Sequence, residues 1–226
     1  MAQPKLVIFD CDGVLVDSEP LACRIELEML AAIGHPIGAE EFRRRAVGRS
    51  RKDVNAMLEA HWARALPADY TDRIRAATFA AFGVELQPVP GIREVLDGLG
   101  AQPRCVASSG YPTRIARALA VTGLAGFFGE SVFSAVEVPH GKPAPDLFLH
   151  AAARMGVAPE NCLVIEDSVP GIQAAKAAGA TAIGFTAGGH CEPGHDRQLQ
   201  EAGADAVAAD ATTLRELIRG WLRSEA

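Results

Sequence analysis

The chain has 226 residues, of which 49% are hydrophobic and 22% are charged, a composition typical of a globular protein with a sizeable core. Its formal net charge of −6 argues against general binding to nucleic acid or to acidic membrane surfaces. Because no apolar run approaches the ~20 residues of a membrane-spanning helix, and the first residues lack an export signal, we expect a cytoplasmic protein. We expect a monomer or a small homo-oligomer, and the sequence does not choose between them.

Short apolar runs alternate with helical patterns along most of the chain. The predicted strands cover residues 5–9, 104–108, 131–135, 162–166, 181–185 and 205–209. The predicted helices of the same part cover residues 91–100, 112–122, 145–155, 169–178 and 212–224. Several strands are apolar throughout, as in a sheet that is covered on both faces. The alternation predicts the α/β fold class, with a doubly wound and mostly parallel sheet.

Residues 18–85 interrupt this alternation because they carry several helical patterns and no convincing strand. We therefore predict two domains. An α/β core domain is built from residues 1–17 and 86–226, and an all-helical cap domain from residues 18–85. The segment 83–91, rich in glycine and proline, is expected to be one of the hinges between them.

Polar side chains follow four of the predicted strands. In chain order they are Asp10 and Asp12, then Ser108, Ser109 and Gly110, then Lys142, then Glu166 and Asp167. Each group alone is ordinary turn or helix-cap chemistry. The carboxyl ends of parallel strands, however, meet at one edge of a sheet, where ligands bind. The four groups together therefore predict a site at that edge.

These groups lie in four segments that resemble the four motifs of the haloacid dehalogenase superfamily. The segments read FDCDGVLVDSE (9–19), VASSG (106–110), GKPAPDLF (141–148) and VIEDSVPGIQAAKAAG (164–179). Within the superfamily the chain most resembles the β-phosphoglucomutase and sugar-phosphate phosphatase branch. The helical type-1 cap of that branch occupies the place of residues 18–85, and its core is Rossmann-like.

The resemblance implies a phosphatase that depends on Mg²⁺ and forms an aspartyl-phosphate. Asp10 would be the nucleophile and Asp12 the general acid and base. Ser108 and Lys142 would complete the catalytic set. The implied metal ligands are Asp10, Asp12 through its backbone carbonyl, Glu166 and Asp167, and the implied substrate ligands are Ser108, Ser109, Gly110, Lys142, Arg49 and Arg51.

The expected substrate is a small phosphorylated metabolite, either a sugar phosphate or a phosphorylated sugar acid. A phosphosugar mutase of the β-phosphoglucomutase type is one alternative. Those mutases carry a histidine in the first cap helix, where this chain has Ala22, whereas Arg51 matches an arginine of that branch. A protein that binds a phosphometabolite without turnover is the second alternative, and the presence of both Asp10 and Asp12 disfavours it.

The segment 186–196 contains His190, Cys191 and His195. Imidazole and thiolate ligands at this spacing suit zinc. With three potential ligands and several glycines, the segment is more typical of an exposed loop, and we predict a loop without a metal. The five cysteines form no CxxC pair, and we interpret all of them as reduced and non-catalytic.

Overall fold

The computed structural model describes residues 5–46 and 51–223. Its strands are β1 (Leu6–Phe9), β2 (Arg104–Ser108), β3 (Val132–Ser134), β4 (Cys162–Glu166), β5 (Thr181–Phe185) and β6 (Ala206–Ala208). They form one sheet in the order β3-β2-β1-β4-β5-β6, and every neighbouring pair is parallel. The predicted α/β, doubly wound architecture is confirmed, and each predicted strand corresponds to one of these six.

Helices connect the strands and also make up the segment between β1 and β2. In the part of the chain that the structure describes, they are α1 (Ser18–Ala32), α2 (Ala39–Ala46), α3 (Arg51–Trp62), α4 (Tyr70–Glu85), α5 (Ile92–Gly98), α6 (Pro112–Val121), α7 (Asp146–Arg154), α8 (Val169–Ala177), α9 (His195–Glu201) and α10 (Ala211–Arg223). The helix α9 was not predicted, because seven residues behind a glycine-rich segment give little helical periodicity.

The central strand β1 shows why these sequences form a covered sheet. All four of its residues, from Leu6 to Phe9, are completely buried. Alternate side chains of a strand point to opposite faces, so an apolar residue at every position requires helices on both sides. On one face, Leu6 and Ile8 belong to an apolar cluster that includes residues of α7 and α8.

The chain divides into two compact units. One is the helical segment Glu19–Glu85, and the other is built from the segments on either side of it. The helical unit has an apolar core of its own, made by Leu30, Phe42, Val54, Leu58 and Tyr70. The role of residues 18–85 as a cap domain stays a prediction. Among the helices within 5–46 and 51–223, none has the length and apolarity that a bilayer crossing requires.

The strand register brings the predicted site residues to one edge of the sheet. Phe9 at the end of β1 pairs with Val106 of β2 and with Ile165 of β4. The backbone N–H of Asp10 continues this ladder by donating to Ile165 O at 3.0 Å. The residues that follow β1, β2 and β4 therefore leave the sheet side by side.

Candidate active site

Lys142 lies between the carboxylates of two neighbouring strand ends. Its Nζ donates to Asp10 Oδ1 at 2.5 Å and also to Glu166 Oε1. A third, longer hydrogen bond of 3.3 Å reaches the backbone carbonyl of Ala107. The lysine side chain is only 6% exposed. Burial opposes its charge, but Asp10 and Glu166 more than offset this and raise the pKa of Lys142 above its usual value, so the site holds a fixed cation.

The Asp10 carboxyl is buried in a region of excess negative charge. Burial raises the pKa of Asp10 well above its usual value, and Lys142 opposes this shift. The charges of Glu166 and Asp167 raise the pKa of Asp10 further. Lys142 therefore offsets only part of the negative charge that the strand ends bring together.

Asp167 is packed against the turn that follows β1. Gly13 in that turn has a φ of +78°, and a Cβ at this position would lie 1.9 Å from Asp167 Oδ2. Glycine is thus required both for the backbone conformation and for the approach of the carboxylate. Burial raises the pKa of Asp167, and a hydrogen bond with His190 opposes the shift.

His190 contacts Asp167, and this pairing was not predicted from the sequence. Its Nε2 lies 2.9 Å from Asp167 Oδ2. Burial alone would lower the pKa of His190, but the contacts with Asp167 and Cys191 raise it to about 10. The imidazole therefore faces Asp167 as a cation at neutral pH.

Glu166 is completely buried, and the protein uses both of its carboxylate oxygens. Oε1 accepts from Lys142. Oε2 accepts from the backbone N–H groups of Asp167 and Ser168 at 3.1 and 3.0 Å, and from Ser168 Oγ at 2.8 Å. Gly171 leaves the necessary room, because a Cβ there would lie 1.9 Å from the carboxyl carbon of Glu166. The glutamate holds Lys142 and the following turn in place.

Asp12 is held by two residues that the sequence analysis missed. Arg114 of α6 donates to both of its oxygens, at 2.6 Å to Oδ2 and 2.8 Å to Oδ1. Ser18, the first residue of α1, donates from Oγ to Oδ1 at 2.6 Å. Ser18 lies within the first motif, and this position could have indicated that it belongs to the site. Arg114 had a weaker signal, since it lies near the start of the helix that follows the second motif.

The segment after β2 forms the other part of the site. Ser108 is buried and accepts a hydrogen bond on Oγ from Gly110 N at 3.1 Å, whereas Ser109 is exposed. A Cβ on Gly110 would lie 3.4 Å from Ser108 Oγ and 3.5 Å from Arg114 Nη1. The Arg114 guanidinium therefore lies beside the predicted phosphate-binding segment while it contacts Asp12.

Of the two predicted arginine ligands, only Arg51 lies within the described residues; Arg49 does not. Arg51 begins α3, and its Nη1 donates to Glu26 Oε1 at 2.5 Å inside the helical unit. Glu26 also accepts from the Tyr70 hydroxyl at 3.0 Å. The roles of Arg49 and Arg51 in substrate binding stay predictions.

The donor set at the sheet edge fits Mg²⁺. Asp10 and Asp167 supply carboxylate oxygens, the ligands that this ion prefers. Burial and like charges raise the pKa of both carboxyls, and a divalent cation beside them would offset that excess of negative charge. Glu166 differs from the other predicted ligands, because its oxygens are already engaged by Lys142 and Ser168.

Two curated relatives of known activity align with most of the chain. The 6-phosphogluconate phosphatase of Escherichia coli is 30% identical over 194 residues, which cover 85% of this chain and 87% of that protein. The fructose-1-phosphate phosphatase of the same organism is 35% identical over 182 residues, which cover 78% of this chain and 94% of that protein.

Solved structures extend the similarity over nearly the whole chain. A conserved haloacid dehalogenase-like protein of unknown function from Agrobacterium tumefaciens superposes with a TM-score of 0.87 at 36% identity, covering 97% of this chain and 100% of the other. A family hydrolase from Deinococcus radiodurans, with bound phosphate and sodium, gives 0.84 at 32% identity, covering 98% and 97%. A protein from Thermotoga maritima predicted to be a β-phosphoglucomutase gives 0.81 at 28% identity, covering 95% and 99%.

The four motifs each supply residues to the same edge of the sheet. The haloacid dehalogenase-like hydrolase family matches residues 4–179, a range that contains all four. Its named relatives in Escherichia coli are phosphatases. This chain belongs to the haloacid dehalogenase-like hydrolase family.

Proposed function

We propose that this protein is a Mg²⁺-dependent phosphatase that hydrolyses a small sugar phosphate or phosphorylated sugar acid through an aspartyl-phosphate on Asp10. The observation that carries the proposal is the buried group of Asp10, Lys142 and Glu166 beside Asp167, at the edge where parallel sheets bind ligands. The relatives named for 6-phosphogluconate and fructose 1-phosphate support this class of substrate.

The first chemical step is assigned to Asp10. Lys142 holds Oδ1, so we assign the attack on phosphorus to Oδ2. The new bond between Asp10 and phosphorus forms as the bond to the substrate oxygen breaks, and Asp12 gives its proton to the leaving alkoxide. Mg²⁺, held by Asp10, Asp167 and the backbone carbonyl of Asp12, would neutralise charge on the transferring phosphoryl group.

The second step returns the enzyme to its starting state. A water molecule attacks the phosphorus of the aspartyl-phosphate, and Asp12 takes a proton from it. The bond between Asp10 and phosphorus breaks, which releases inorganic phosphate and restores the Asp10 carboxylate. Ser108, the backbone N–H groups of Ser109 and Gly110, and Lys142 are proposed to bind the phosphate oxygens in both steps.

Arg114 is proposed to change partners when the substrate binds. Both oxygens of Asp12 accept hydrogen bonds from Arg114, and Oδ1 also accepts from Ser18, so the carboxylate is already engaged before the substrate binds. A substrate phosphate offers the same guanidinium a bidentate partner of equal geometry. We therefore assign Arg114 as a substrate-binding residue that exchanges Asp12 for the substrate phosphate and so frees Asp12 for proton transfer.

Glu166 and the helical unit have supporting roles in this proposal. Because both oxygens of Glu166 are engaged, we assign Glu166 to positioning Lys142 rather than to metal binding. Residues 18–85 are proposed as the cap domain of this family. Arg49 and Arg51 are proposed to bind a second anionic group of the substrate. Arg51 would then contact both this group and Glu26, with which it forms an ion pair.

The mutase remains the alternative in the same site, and the similarity to the Thermotoga maritima protein favours it. Ala22, at the position where the mutases carry histidine, weighs against it. The test incubates the protein with Mg²⁺ and a panel of phosphorylated sugars and sugar acids. Release of inorganic phosphate supports the hydrolase. Isomerised phosphosugar without free phosphate, dependent on a bisphosphate primer, indicates the mutase, and saturable binding without turnover indicates a binding protein.

The mechanism is tested separately with Asp10→Asn. We expect kcat to fall by at least about 10⁴-fold, because the amide cannot form the acyl-phosphate. Far-UV circular dichroism should stay unchanged, since Asn has the shape of Asp. Residual activity within about tenfold of the wild type would be incompatible with nucleophilic catalysis by Asp10.

A further inference from the structure

The segment that follows β5 brings together three side chains that the proposed hydrolysis does not use directly, although one of them, His190, contacts the proposed metal ligand Asp167. His190, Cys191 and His195 each offer one ligand atom, and these atoms lie within 4.8 Å of one another. Cys191 Sγ is 3.4 Å from His190 Nε2, and the two imidazole centroids are 5.9 Å apart. All three residues are partly buried, so this cluster is more enclosed than the exposed loop predicted from the sequence.

The backbone of the segment holds the cluster in shape. Cys191 N donates to Gly188 O at 3.0 Å, and His195 N donates to the carbonyl of Glu192 at 3.0 Å, so two turns set the spacing of the ligands. Gly188 is packed tightly, because a Cβ there would lie 2.9 Å from His190 Cε1 and 2.8 Å from a backbone carbonyl oxygen. The neighbouring N–H of Gly189 donates to an aspartate side chain at 2.9 Å. The backbone of the segment is therefore held in place before any ion binds, and the side chains have to close around the ion from separations within 4.8 Å.

The separation of the ligand atoms suits a tetrahedral transition-metal ion. With Zn–S bonds of about 2.3 Å and Zn–N bonds of about 2.0 Å, the two ligand atoms lie about 3.5 Å apart, close to the 3.4 Å between Cys191 Sγ and His190 Nε2. A thiolate and two imidazoles select zinc or cobalt over Mg²⁺, which prefers oxygen. Asp167 borders the cluster, since its Oδ2 lies 2.9 Å from His190 Nε2 and its backbone carbonyl oxygen lies 2.5 Å from His195 Nε2. Its carboxylate has to turn toward the ion to take the fourth position.

We propose that His190, Cys191 and His195 form a zinc site that inhibits the enzyme by taking Asp167 as its fourth ligand. Binding releases the thiol proton of Cys191 and the Nε2 proton of His190. His190 then no longer donates to Asp167, and the carboxylate turns to the zinc ion. Because Asp167 is also a proposed Mg²⁺ ligand, the two ions compete for it, and excess Mg²⁺ should relieve the inhibition. The inhibition rests on the proposed function, whereas the binding of zinc does not.

Cobalt provides a readout of the site that does not depend on activity. The full-length protein, stripped of metal with a chelator, is titrated with Co²⁺. We expect one equivalent to bind with a near-ultraviolet thiolate-to-cobalt charge-transfer band and the intense visible bands of four-coordinate cobalt, and Zn²⁺ to displace it. Cys191→Ser should lose the charge-transfer band and weaken Zn²⁺ binding, measured by calorimetry, by at least about tenfold.

Cys23→Ser is the matched control, because Cys23 is the other cysteine that is not fully buried and lies outside the cluster. It should keep the band. Absence of the band in the wild-type protein, or its persistence in Cys191→Ser, would overturn the site. Circular dichroism of each variant shows that it is folded, and Cys191→Ala gives a second removal of the thiolate.

The inhibitory role is tested with the Mg²⁺-supported hydrolysis of a chromogenic aryl phosphate. One equivalent of Zn²⁺ should inhibit the wild type, and excess Mg²⁺ should relieve this inhibition. The same degree of inhibition of Cys191→Ser should need at least about tenfold more Zn²⁺. Equal inhibition of both proteins would overturn the inhibitory role. The cobalt band without phosphatase activity on either the aryl phosphate or the panel of phosphorylated sugars and sugar acids would support the metal site and overturn the proposed hydrolase instead.

Discussion

The two units of the chain each contain an arginine paired with a carboxylate, and the surroundings of the two carboxylates differ. In the helical unit, Glu26 is 4% exposed and accepts from both Arg51 and Tyr70. In the α/β unit, the side chains of Asp12 and Arg114 are 23% and 34% exposed. The buried Glu26 carboxylate is enclosed with its two donors, whereas the more exposed pair of Asp12 and Arg114, at a ligand-binding edge, can exchange partners with a ligand. The surroundings of an ion pair, more than its residues, decide whether it stabilises the fold or serves the site.

Of the effects that distinguish the two pairs, the largest is expected at the open pair. Arg114→Ala should lower kcat/KM for a phosphorylated sugar by about 10²-fold, equivalent to ~2.7 kcal/mol of transition-state stabilisation, because the substrate phosphate loses a bidentate donor. The free energy of unfolding should change by less than about 1 kcal/mol, since exposed pairs contribute little to stability. Steady-state kinetics and chemical denaturation measure the two quantities.

Arg114→Lys is the matched control for this pair. It keeps the positive charge and loses the forked geometry, so we expect a loss of about tenfold, between the wild type and Arg114→Ala. A large loss of stability in Arg114→Ala with full activity would show that Arg114 is as structural as Arg51, and the contrast between the two units would fail.

Arg114 also shows where inference from the sequence ends. Asp10, Lys142, Glu166 and Asp167 could be placed together in advance, because each lies at or beyond the end of a strand of one parallel sheet and parallel strands end at one edge. Arg114 lies on a helix, and helical periodicity indicates a face without naming the residue that this face contacts. Its pairing with Asp12, 102 residues away, follows from how α6 packs on the sheet.

The pairing inside the helical unit was hidden for the same reason. Glu26 and Arg51 are 25 residues apart on different helices, and no sequence period links them. His190, Cys191 and His195 were considered as zinc ligands from the sequence, but an exposed loop without a metal was predicted. Their partial burial and the short helix α9 behind them depend on turns around glycine. Sequence patterns predicted the strands and the edge at which they end, whereas the contacts between helices and loops could be identified only in the structure.

The second prediction tests the closed pair. Glu26→Gln should lower the free energy of unfolding by about 2 kcal/mol, because a buried acceptor of two hydrogen bonds loses its charge and Arg51 loses its ion-pair partner. This is less than the loss of a fully buried pair, since the Arg51 side chain is 42% exposed. Chemical denaturation, with fluorescence and circular dichroism as probes, measures the change.

Glu28→Gln is the matched control for the closed pair. Glu28 lies on the same helix and pairs with Arg24, but its side chain is 61% exposed. The same chemical change should therefore cost less than about 0.5 kcal/mol. Equal losses in Glu26→Gln and Glu28→Gln would mean that burial does not distinguish these pairs, and the argument from surroundings would lose its support.

The smallest expected effect has the opposite sign and concerns Asp167. Burial raises the pKa of Asp167 above its unfolded value even though His190 opposes the shift, so the folded state disfavours the charged carboxyl. A raised folded pKa contributes stability below the unfolded pKa, and that contribution is lost as the pH rises through the folded pKa. At neutral pH, without divalent metal, Asp167→Asn should therefore raise the free energy of unfolding by about 1 kcal/mol, because the amide avoids the buried charge and still accepts from His190.

The gain should shrink as the pH is lowered, because the wild-type carboxyl then binds its proton and also becomes neutral. Adding Mg²⁺ should raise the thermal midpoint of the wild type much more than that of Asp167→Asn, since binding to the native state alone stabilises it. Denaturation curves with and without Mg²⁺ at two pH values measure both effects. A variant Asp167→Asn that is less stable than the wild type at neutral pH without metal would contradict this prediction. It would mean that His190 compensates the charge of Asp167, as Arg51 and Tyr70 do for Glu26. The sheet edge would then carry no uncompensated negative charge for a cation to neutralise.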